Sequence, residues 1–513
     1  MIADLLFRPW YEIGIALLLG AYLFEKVKVL IQLRHIKGPL LYRITGTPHT
    51  LAILSGSCHH WYQKLNLKYG QLVVAAPKVL LTSSPELWAH INTYPGYTKS
   101  KWYYRNSRFD WRRDNVFTQT DNEKHNERRK QMVRGFSGAE NLTLDADIEA
   151  CVVKLLRLTR SRYASQGKAM DLAQKTQYYS LDVISTIGFG KCYNLMNADE
   201  DPSEYLASTH DGLKFGNLQI ALNLWWVNWI PFVGQKISTD VESLKGFYKM
   251  TALNAEMVEA REQEFHEQKK VGVVPRADML TSFMRNGLHG DELKVENILQ
   301  VVAGSDTTSG SLRGIFLYLM TNPRVYQKLQ AEIDEAVASG IAPPAPGIIK
   351  PGQAKDLIYL QAVIKEGMRI FSPVNNPLSR DTPPQGDTVT IDGEEIYLPG
   401  GVSVVPSFKA MHRNKKVYGD DADVFRPERW IEEKDESKLE AMKQEYNLMF
   451  GHGPWLCLGK AIALRQLGVV VFELCRNFDW ALLNPETPWK DANFMGLHST
   501  TDMWVLAKER KQL

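Results

Sequence analysis

A short loop around one cysteine constrains the fold of this chain more than any other feature. The loop reads Phe450-Gly451-His452-Gly453-Pro454-Trp455-Leu456-Cys457-Leu458-Gly459-Lys460, and an apolar run that is typical of a helix follows it from Ala461 to Leu474. Glycine lets the backbone approach a flat ligand closely, in conformations that a side chain would forbid. Because a helix N-terminus carries partial positive charge, the loop favours a thiolate at Cys457.

A lone thiolate restricts the kind of metal site that the loop can form. Zinc takes four ligands, so one cysteine is a poor zinc site. Haem brings four nitrogen ligands of its own and takes one axial ligand from the protein, for which a cysteine thiolate is suited. The alternative is that Cys457 is a buried structural cysteine, which is the usual role of an isolated one.

The loop resembles the F-x-x-G-x-R-x-C-x-G haem loop of the cytochrome P450 family, most closely that of microsomal, fungal-type haem-thiolate monooxygenases. Phe450, Gly453, Cys457 and Gly459 match, whereas Trp455 stands where the family usually has arginine. The resemblance implies that Cys457 is the axial ligand of the haem iron and that the other three matching residues shape the cofactor loop. It further implies the P450 fold, mainly α with a small β region, as a single catalytic domain over residues 37–513.

Charge and cysteine content indicate which partners and which cellular compartment the chain is suited to. The formal net charge is only +3, which does not suggest a nucleic-acid partner. The five cysteines are odd in number and scattered, so they predict a reducing compartment and no disulfide framework; they are Cys58, Cys151, Cys192, Cys457 and Cys475.

The N-terminus predicts membrane attachment. Residues 13–24 are uncharged, and a single-pass transmembrane anchor over residues 1–36 is predicted if Glu12 lies at the bilayer interface. A cleaved signal peptide is the alternative, but no basic n-region precedes the apolar run. More basic residues follow the run than precede it, which places the catalytic domain on the cytosolic face of the endoplasmic reticulum membrane. The tryptophans between Leu218 and Phe232 indicate either a core segment or a lid at the membrane interface.

A basic segment is predicted to form a helix from Asn122 to Phe136, with His125 and Arg129 one turn apart on one face. A charged helix face is usually only solvated. The segment nevertheless resembles the P450 helix that holds the haem propionates, and Arg380 matches a further propionate contact. Because Trp455 carries no charge, the resemblance leaves the propionates to His125, Arg129 and Arg380.

A long helix is predicted from Val295 to Met320, and it contains Ala303-Gly304-Ser305-Asp306-Thr307-Thr308. Glycine and β-branched threonines are poor helix formers, so a local distortion of the helix is expected here. The stretch resembles the A-G-x-D/E-T-T signature of the family. The resemblance gives Thr307 the role of the catalytic hydroxyl and Asp306 that of the catalytic acid in proton delivery.

Two further motifs match the family and predict structural roles. Glu366 and Arg369 match E-x-x-R, and Arg429 belongs to a match to F-x-P-x-R-F/W. The resemblance implies a buried cluster of Glu366, Arg369 and Arg429 that braces the haem loop without taking part in chemistry. Residues 373–377 between the two motifs are expected to line the pocket.

The sequence therefore predicts a haem-thiolate monooxygenase that inserts one atom of O2 into a lipophilic small molecule, in secondary-metabolite biosynthesis. No Gly-rich nucleotide or flavin motif occurs, so electrons should come from NADPH through a separate NADPH–cytochrome P450 reductase. Two alternatives remain: a haem-thiolate isomerase or dehydratase that works without a reductase, and a non-catalytic haem sensor or carrier. The predicted reductase-docking face is basic and comprises Lys124, Arg128, Lys130, Lys460 and Arg465.

Overall fold

The computed structural model describes residues 2–230, 247–375 and 377–511. Residues 231 and 232 of the predicted tryptophan-rich segment and Asn376 of the predicted pocket loop lie outside the described residues.

The described chain is mainly helical, as predicted. The N-terminal half contains the helices α1 (Ile2–Gln32), α2 (Leu40–Ile44), α3 (Thr47–Leu54), α4 (Cys58–Tyr69), α5 (Pro85–Thr93), α6 (Lys101–Tyr104), α7 (Asn122–Phe136), α8 (Leu144–Leu158), α9 (Leu172–Phe189), α10 (Leu195–Ala198) and α11 (Tyr205–Leu222). The C-terminal half contains α12 (Phe247–Lys270), α13 (Met279–Arg285), α14 (Gly290–Thr321), α15 (Pro323–Ala338), α16 (Pro351–Asp356), α17 (Ile358–Ile370), α18 (Phe408–Met411), α19 (Lys415–Tyr418), α20 (Arg429–Glu432), α21 (Glu436–Leu448) and α22 (Lys460–Asn477).

Short strands form four small sheets among the described residues. The strands are β1 (Leu72–Ala76), β2 (Val79–Thr82), β3 (Thr98–Lys99), β4 (Met170–Asp171), β5 (Arg380–Asp381), β6 (Asp387–Ile391), β7 (Glu394–Leu398), β8 (Ser403–Pro406), β9 (Phe478–Leu482), β10 (Lys490–Phe494), β11 (Leu497–Thr501) and β12 (Trp504–Glu509). The largest sheet has the order β1-β2-β8-β5-β3, in which β1 and β2 form an antiparallel hairpin.

Side-chain caps set the start of the helices that matter for the site. The Asp121 carboxylate accepts from the backbone N–H groups of Glu123 and Lys124 and so begins α7, which has the bounds predicted from sequence. Asp171 caps α9 in the same way.

Helix α14 runs through the main core and packs most extensively on α9. The two helices approach closely at Gly304, where a Cβ atom would lie 2.8 Å from Cδ1 of Ile184. A residue with a side chain would push α14 away from α9, so this glycine fixes the depth of α14 in the core.

The predicted transmembrane anchor is not supported by the structure. Within the described ranges, no helix is both long and apolar enough to cross a membrane. The uncharged part of α1 is confined between Glu12 and Glu25, and a transmembrane helix needs about 20 predominantly apolar residues. The end of α1 packs instead into the β-rich core, where Val29, Leu33 and Ile36 are buried.

Candidate active site

A cavity of about 350 Å³ lies between α14 and the Cys457 loop. The predicted site residues that line it are His125, Arg129, Thr307, Arg380, Phe450, Cys457 and Gly459. This volume lies in the range of cofactor and small-molecule sites. Apolar side chains dominate its wall, among them Phe109, Met132, Leu299, Val302, Pro373, Val374, Met449, Met495 and Leu497. Pro373 and Val374 thus take the lining position predicted for residues 373–377.

The loop before α22 folds tightly around Cys457. The Cys457 N–H donates to the Phe450 carbonyl at 2.6 Å. Gly451 has φ +78° and Gly453 φ +58°, and a Cβ atom on Gly453 would lie 2.6 Å from the carbonyl oxygen of Asn92. Glycine is therefore required at both positions because of the positive φ angle. At Gly453 it is also required because the Asn92 carbonyl leaves no room for a side chain.

The sulfur of Cys457 is open to the cavity although it lies deep inside the protein. Burial raises the pKa of the Cys457 thiol above its ordinary value, while the Gly459 N–H and the charge of Arg129 act in the opposite direction. The sequence-based expectation of a thiolate favoured by the helix N-terminus is therefore met only in part. The N–H donors are present, but burial outweighs them in the protein alone.

The predicted propionate contacts lie together at one end of the cavity. Arg129 donates to the Leu456 carbonyl at 2.6 Å, and the Arg380 guanidinium donates to the Leu378 carbonyl at 3.0 Å. The Nε atom of Arg380 is buried without a hydrogen-bond partner. Burial, followed by the charge of Lys99, lowers the pKa of His125 to about 3, so this imidazole is neutral at pH 7.

The tryptophan that replaces the usual arginine contacts one of these cations. The guanidinium of Arg380 lies 4.3 Å from the ring centroid of Trp455. A cation over an indole ring is attracted by its π electrons. Trp455 therefore positions a neighbouring arginine instead of supplying a charge of its own.

The sequence analysis missed Lys99. This residue is 4% exposed, lines the cavity, and pairs with Arg380 across strands β3 and β5. Its ammonium group donates to the carbonyls of Val116 and Phe117 at 2.8 and 2.9 Å. Burial lowers the pKa of Lys99 well below its ordinary value. Nothing in the local sequence separates Lys99 from a surface lysine; only the pairing with a distant strand brings it to the cavity.

The end of the cavity formed by Lys99, Arg129 and Arg380 fits an acidic cofactor. No carboxylate of the described residues lies within 4.0 Å of these three cations. Buried charges are costly unless they are paired. Two carboxylates on a planar ring would pair with them and reach the unpartnered Nε of Arg380, so the residues present fit haem.

Thr307 lines the cavity on the side opposite Cys457, and its hydroxyl donates to the Ala303 carbonyl at 2.8 Å. α14 is a continuous α-helix here, so the expected distortion is absent from the backbone. The threonine completes its hydrogen bonding within the turn, which removes the need for a break in the helix.

Asp306 does not line the cavity. Its Oδ1 accepts from Nε2 of Gln177 on α9 at 2.6 Å, and its Oδ2 is buried without a partner. Burial raises the pKa of Asp306 to about 6, against the opposing charge of Arg313 and the hydrogen bond from Gln177. The acid and the hydroxyl that the sequence analysis assigned to one site thus lie on different faces of α14. Gln177 was missed because it becomes a neighbour of Asp306 only when α9 packs on α14. Arg313 lies two turns after Asp306 on α14 itself, so the spacing of seven residues was a signal that could have found it.

The predicted structural cluster comes together in the core. Oε1 of Glu366 accepts from Arg369 at 2.8 Å and from Arg429 at 2.9 Å, and Oε2 accepts from the indole of Trp430 at 2.9 Å. Glu366 and Arg369 are fully buried. The second arginine and the tryptophan come from the segment after α19, so the cluster joins that segment to α17.

The predicted docking face is only partly available. Arg128 forms ion pairs with Glu296 at 2.8 Å and Glu292 at 2.9 Å, and Arg465 pairs with Asp145 at 2.9 Å. Lys124 and Lys130 are exposed and form no ion pair with the described residues.

Comparison with known proteins identifies the family. The family model for cytochrome P450 matches residues 41–505. The chain belongs to the cytochrome P450 family. This confirms the resemblance inferred from the loop and the P450 fold of the catalytic domain.

Several fungal relatives share most of the chain. It is 35% identical over 445 residues to the cytochrome P450 monooxygenase ABA1 of Pyricularia oryzae, covering 85% of this chain and 83% of that protein. It is 30% identical over 461 residues to aba1 of Botryotinia fuckeliana, covering 88% and 87%. It is 31% identical over 346 residues to ACRTS1 of Alternaria alternata, covering 67% and 89%. The predicted enzyme class, an oxidoreductase of the monooxygenase type, is confirmed, and membership of this P450 family implies a haem bound through a cysteine thiolate.

Proposed function

We propose that this P450 oxidises a lipophilic small molecule in secondary-metabolite biosynthesis, with electrons passed from NADPH by a separate reductase. One observation carries the proposal: the open sulfur of Cys457, the Thr307 hydroxyl and three basic side chains without a carboxylate partner share one mostly apolar cavity. Of these three side chains, Lys99 and Arg380 are buried and Arg129 is half-buried. When bound, haem supplies the O2-activating redox chemistry. Cys457 would hold its iron through the thiolate sulfur, and Lys99, Arg129 and Arg380 would hold its carboxylates.

The cavity wall supports a lipophilic substrate. Most of it is aliphatic and aromatic. Apart from the cationic end and Thr307, its polar side chains are Ser107, Gln300, Thr308, Ser311 and Gln466. A hydrocarbon body gains free energy by leaving water for such a wall, at about 25 cal/mol per Å² buried. The same wall excludes water from the reacting atoms, which limits protons to those that the protein delivers.

Proton delivery uses Thr307 and Asp306 in sequence. Thr307 donates to Ala303, and its oxygen retains a lone pair that can accept a hydrogen bond from a water in the cavity. Asp306 holds a proton readily because its pKa is about 6. Rotation of its side chain away from Gln177 would carry that proton around α14 to the Thr307 side.

Membrane attachment follows from exposed apolar surface. Leu17, Leu18 and Phe24 on α1 are each 69–74% exposed, and Trp226 and Trp229 are 51% and 57% exposed. Tryptophan and exposed leucine are suited to a lipid interface. We propose that these residues keep the protein on the cytosolic side of the endoplasmic reticulum membrane, beside its reductase.

A reconstitution separates the proposed function from its alternatives. Purified holoenzyme is assayed with a panel of lipophilic compounds under three conditions: with NADPH and a fungal reductase, with an organic hydroperoxide alone, and with neither. Product that requires both NADPH and reductase and contains one atom from ¹⁸O2 supports the proposal. Rearranged hydroperoxide without reductase would establish an isomerase or dehydratase instead, and haem binding without product under any condition would indicate a sensor or carrier.

A further inference from the structure

Two cysteines that play no part in the cavity contact each other on the far side of α9. Cys151 lies on α8 and is 1% exposed, whereas Cys192 lies in the loop after α9 and is only partly buried. The two side chains interact with each other, and the Cys151 sulfur also lies 3.9 Å from the hydroxyl of Thr186 on α9. The Cys192 sulfur can therefore be reached from solvent, whereas the Cys151 sulfur is buried beside it.

Hydrogen-bond donors converge on the sulfur of Cys192. The Lys154 ammonium donates to this sulfur at 3.3 Å, and the backbone N–H of Asn194 donates at 3.4 Å. The Thr186 hydroxyl donates instead to the Asp182 carbonyl at 2.6 Å. The nearby acid, Asp182, accepts instead from the backbone N–H groups of Leu195 and Met196. The sulfur is thus surrounded by donors, which is the environment of a thiolate.

The other structural cysteines differ from this arrangement. Cys58 and Cys475 are each 2% exposed or less, and burial raises the pKa of both thiols. Neither forms a hydrogen bond with a lysine among the residues that the structure describes. Cys58 and Cys475 therefore provide internal references for an unreactive thiol.

We propose that Cys192 is a peroxide-reactive thiolate and that Cys151 is its resolving partner. The proposal is independent of the substrate of the P450 reaction, because neither cysteine lines the cavity.

The chemistry needs one hydrogen peroxide and no other reactant. The Cys192 thiolate attacks one peroxide oxygen, an S–O bond forms, the O–O bond breaks, and the departing hydroxide takes a proton to become water. The Cys151 thiol then loses its proton and attacks the Cys192 sulfur, so that an S–S bond forms and the S–O bond breaks with release of a second water. Two thiols are oxidised by two electrons in all, and one peroxide is reduced to two waters.

The electrostatics agree with this assignment of roles. The interaction with Cys151, followed by those with Thr186, Asn194 and Lys154, lowers the pKa of Cys192 below its ordinary value, although burial opposes them. The interaction with Cys192, followed by burial, raises the pKa of Cys151. Because the Lys154 ammonium and the Asn194 N–H donate to Cys192 and not to Cys151, Cys192 carries the negative charge of the pair and is the attacking sulfur.

Site-resolved mass spectrometry of the holoenzyme tests the proposal. With limiting iodoacetamide at pH 7, Cys192 should be alkylated at least about tenfold faster than Cys58 or Cys475. Lys154→Gln should slow alkylation of Cys192 about tenfold, Lys154→Arg should restore most of the rate, and Lys168→Gln at an exposed lysine should change nothing. The haem spectrum of each variant reports folding.

Hydrogen peroxide then separates a resolving pair from a single reactive cysteine. The parent protein should yield a peptide pair joined through Cys151 and Cys192, and Cys151→Ser should yield a Cys192 sulfenic acid that dimedone traps. Equal alkylation rates at Cys192 and Cys475, or an unchanged rate in Lys154→Gln, would overturn the thiolate. A stable sulfenic acid in the parent protein without a disulfide would overturn the role of Cys151.

Discussion

The guanidinium of Arg380 stacks on the indole of Trp455, 4.3 Å from the ring centroid. Trp455 occupies the position at which most P450 haem loops carry an arginine. The loop therefore supplies no charge of its own there, and its tryptophan orients the charged side chain of Arg380 instead. Arg380 is 4% exposed and accordingly depends on its neighbours for orientation. Lys99, on the adjacent strand, adds the charge that the loop lacks.

We predict that Trp455→Ala weakens haem retention. Loss of the ring removes a partly desolvated cation–π contact of about 2 kcal/mol and lets Arg380 reorient, which corresponds to roughly 30-fold faster haem loss. Transfer of haem to excess apomyoglobin measures the rate directly. Trp455→Phe, which retains an aromatic face, should lose haem at an intermediate rate. If Trp455→Ala retained haem as long as the parent protein, the stack would have no role in binding.

We predict that Lys99→Met weakens haem binding more than Lys101→Met does. Lys99 is buried without an acid within 4.0 Å, whereas Lys101 is exposed two residues away. Methionine fills a similar volume without the charge, so at least a tenfold rise in the haem dissociation constant is expected. Titration of the apoprotein with haem, read from the absorbance, gives this constant. Equal haem dissociation constants for the two variants would show that Lys99 does not contribute to haem binding.

The pH dependence of coupling should follow Asp306. Burial raises the pKa of Asp306 to about 6, so the acid loses its proton as the pH rises through 6 and the yield of product per NADPH should fall. Gln177→Leu removes a hydrogen bond to the charged form, which raises the pKa and moves the fall to higher pH. Asp306→Asn should give a low yield that does not vary with pH across this range. A parent profile that is flat between pH 5 and 8 would exclude Asp306 as the donor.

Local motifs were sufficient to predict the helices and the enzyme class, but they did not predict which distant segments contact each other. The bounds of α7 were predictable because the capping residue Asp121 is a local signal for the start of a helix. The positions of Lys99 and Gln177 were not, because each acquires its partner through packing between segments that are far apart in sequence. Asp306 shows the same limit. Its position next to Thr307 in the sequence suggested that both line one site, but successive residues of a helix point about 100° apart, so the two side chains lie on different faces of α14.

We predict that Glu366→Gln strongly destabilises the fold. The carboxylate accepts hydrogen bonds from Arg369, Arg429 and Trp430 in a fully buried cluster. Removing its charge leaves the buried guanidinium of Arg369 without an anion, at a cost of about 3–5 kcal/mol, whereas Arg429 keeps its ion pair with Asp421 at 3.0 Å. Urea unfolding monitored by tryptophan fluorescence measures the loss. Glu433→Gln breaks an ion pair with Lys438 at the surface and should leave the unfolding free energy almost unchanged, because exposed ion pairs contribute little.

The last prediction separates reductase docking from folding among the basic residues of α7. Lys124 and Lys130 are exposed, so Lys124→Glu with Lys130→Glu should slow the first electron transfer from the reductase, and the difference should shrink as salt rises. Stopped-flow reduction under carbon monoxide measures this rate.

Arg128 should behave differently from these two lysines, because it pairs with the buried Glu296 at 2.8 Å. Burial raises the pKa of Glu296 to about 7 even with Arg128 present, so Arg128→Gln should raise it further and lower the unfolding free energy. Its effect on electron transfer should not depend on salt. A salt-dependent loss in Arg128→Gln, with no loss in the double lysine variant, would place the docking surface on the paired arginine instead of the exposed lysines.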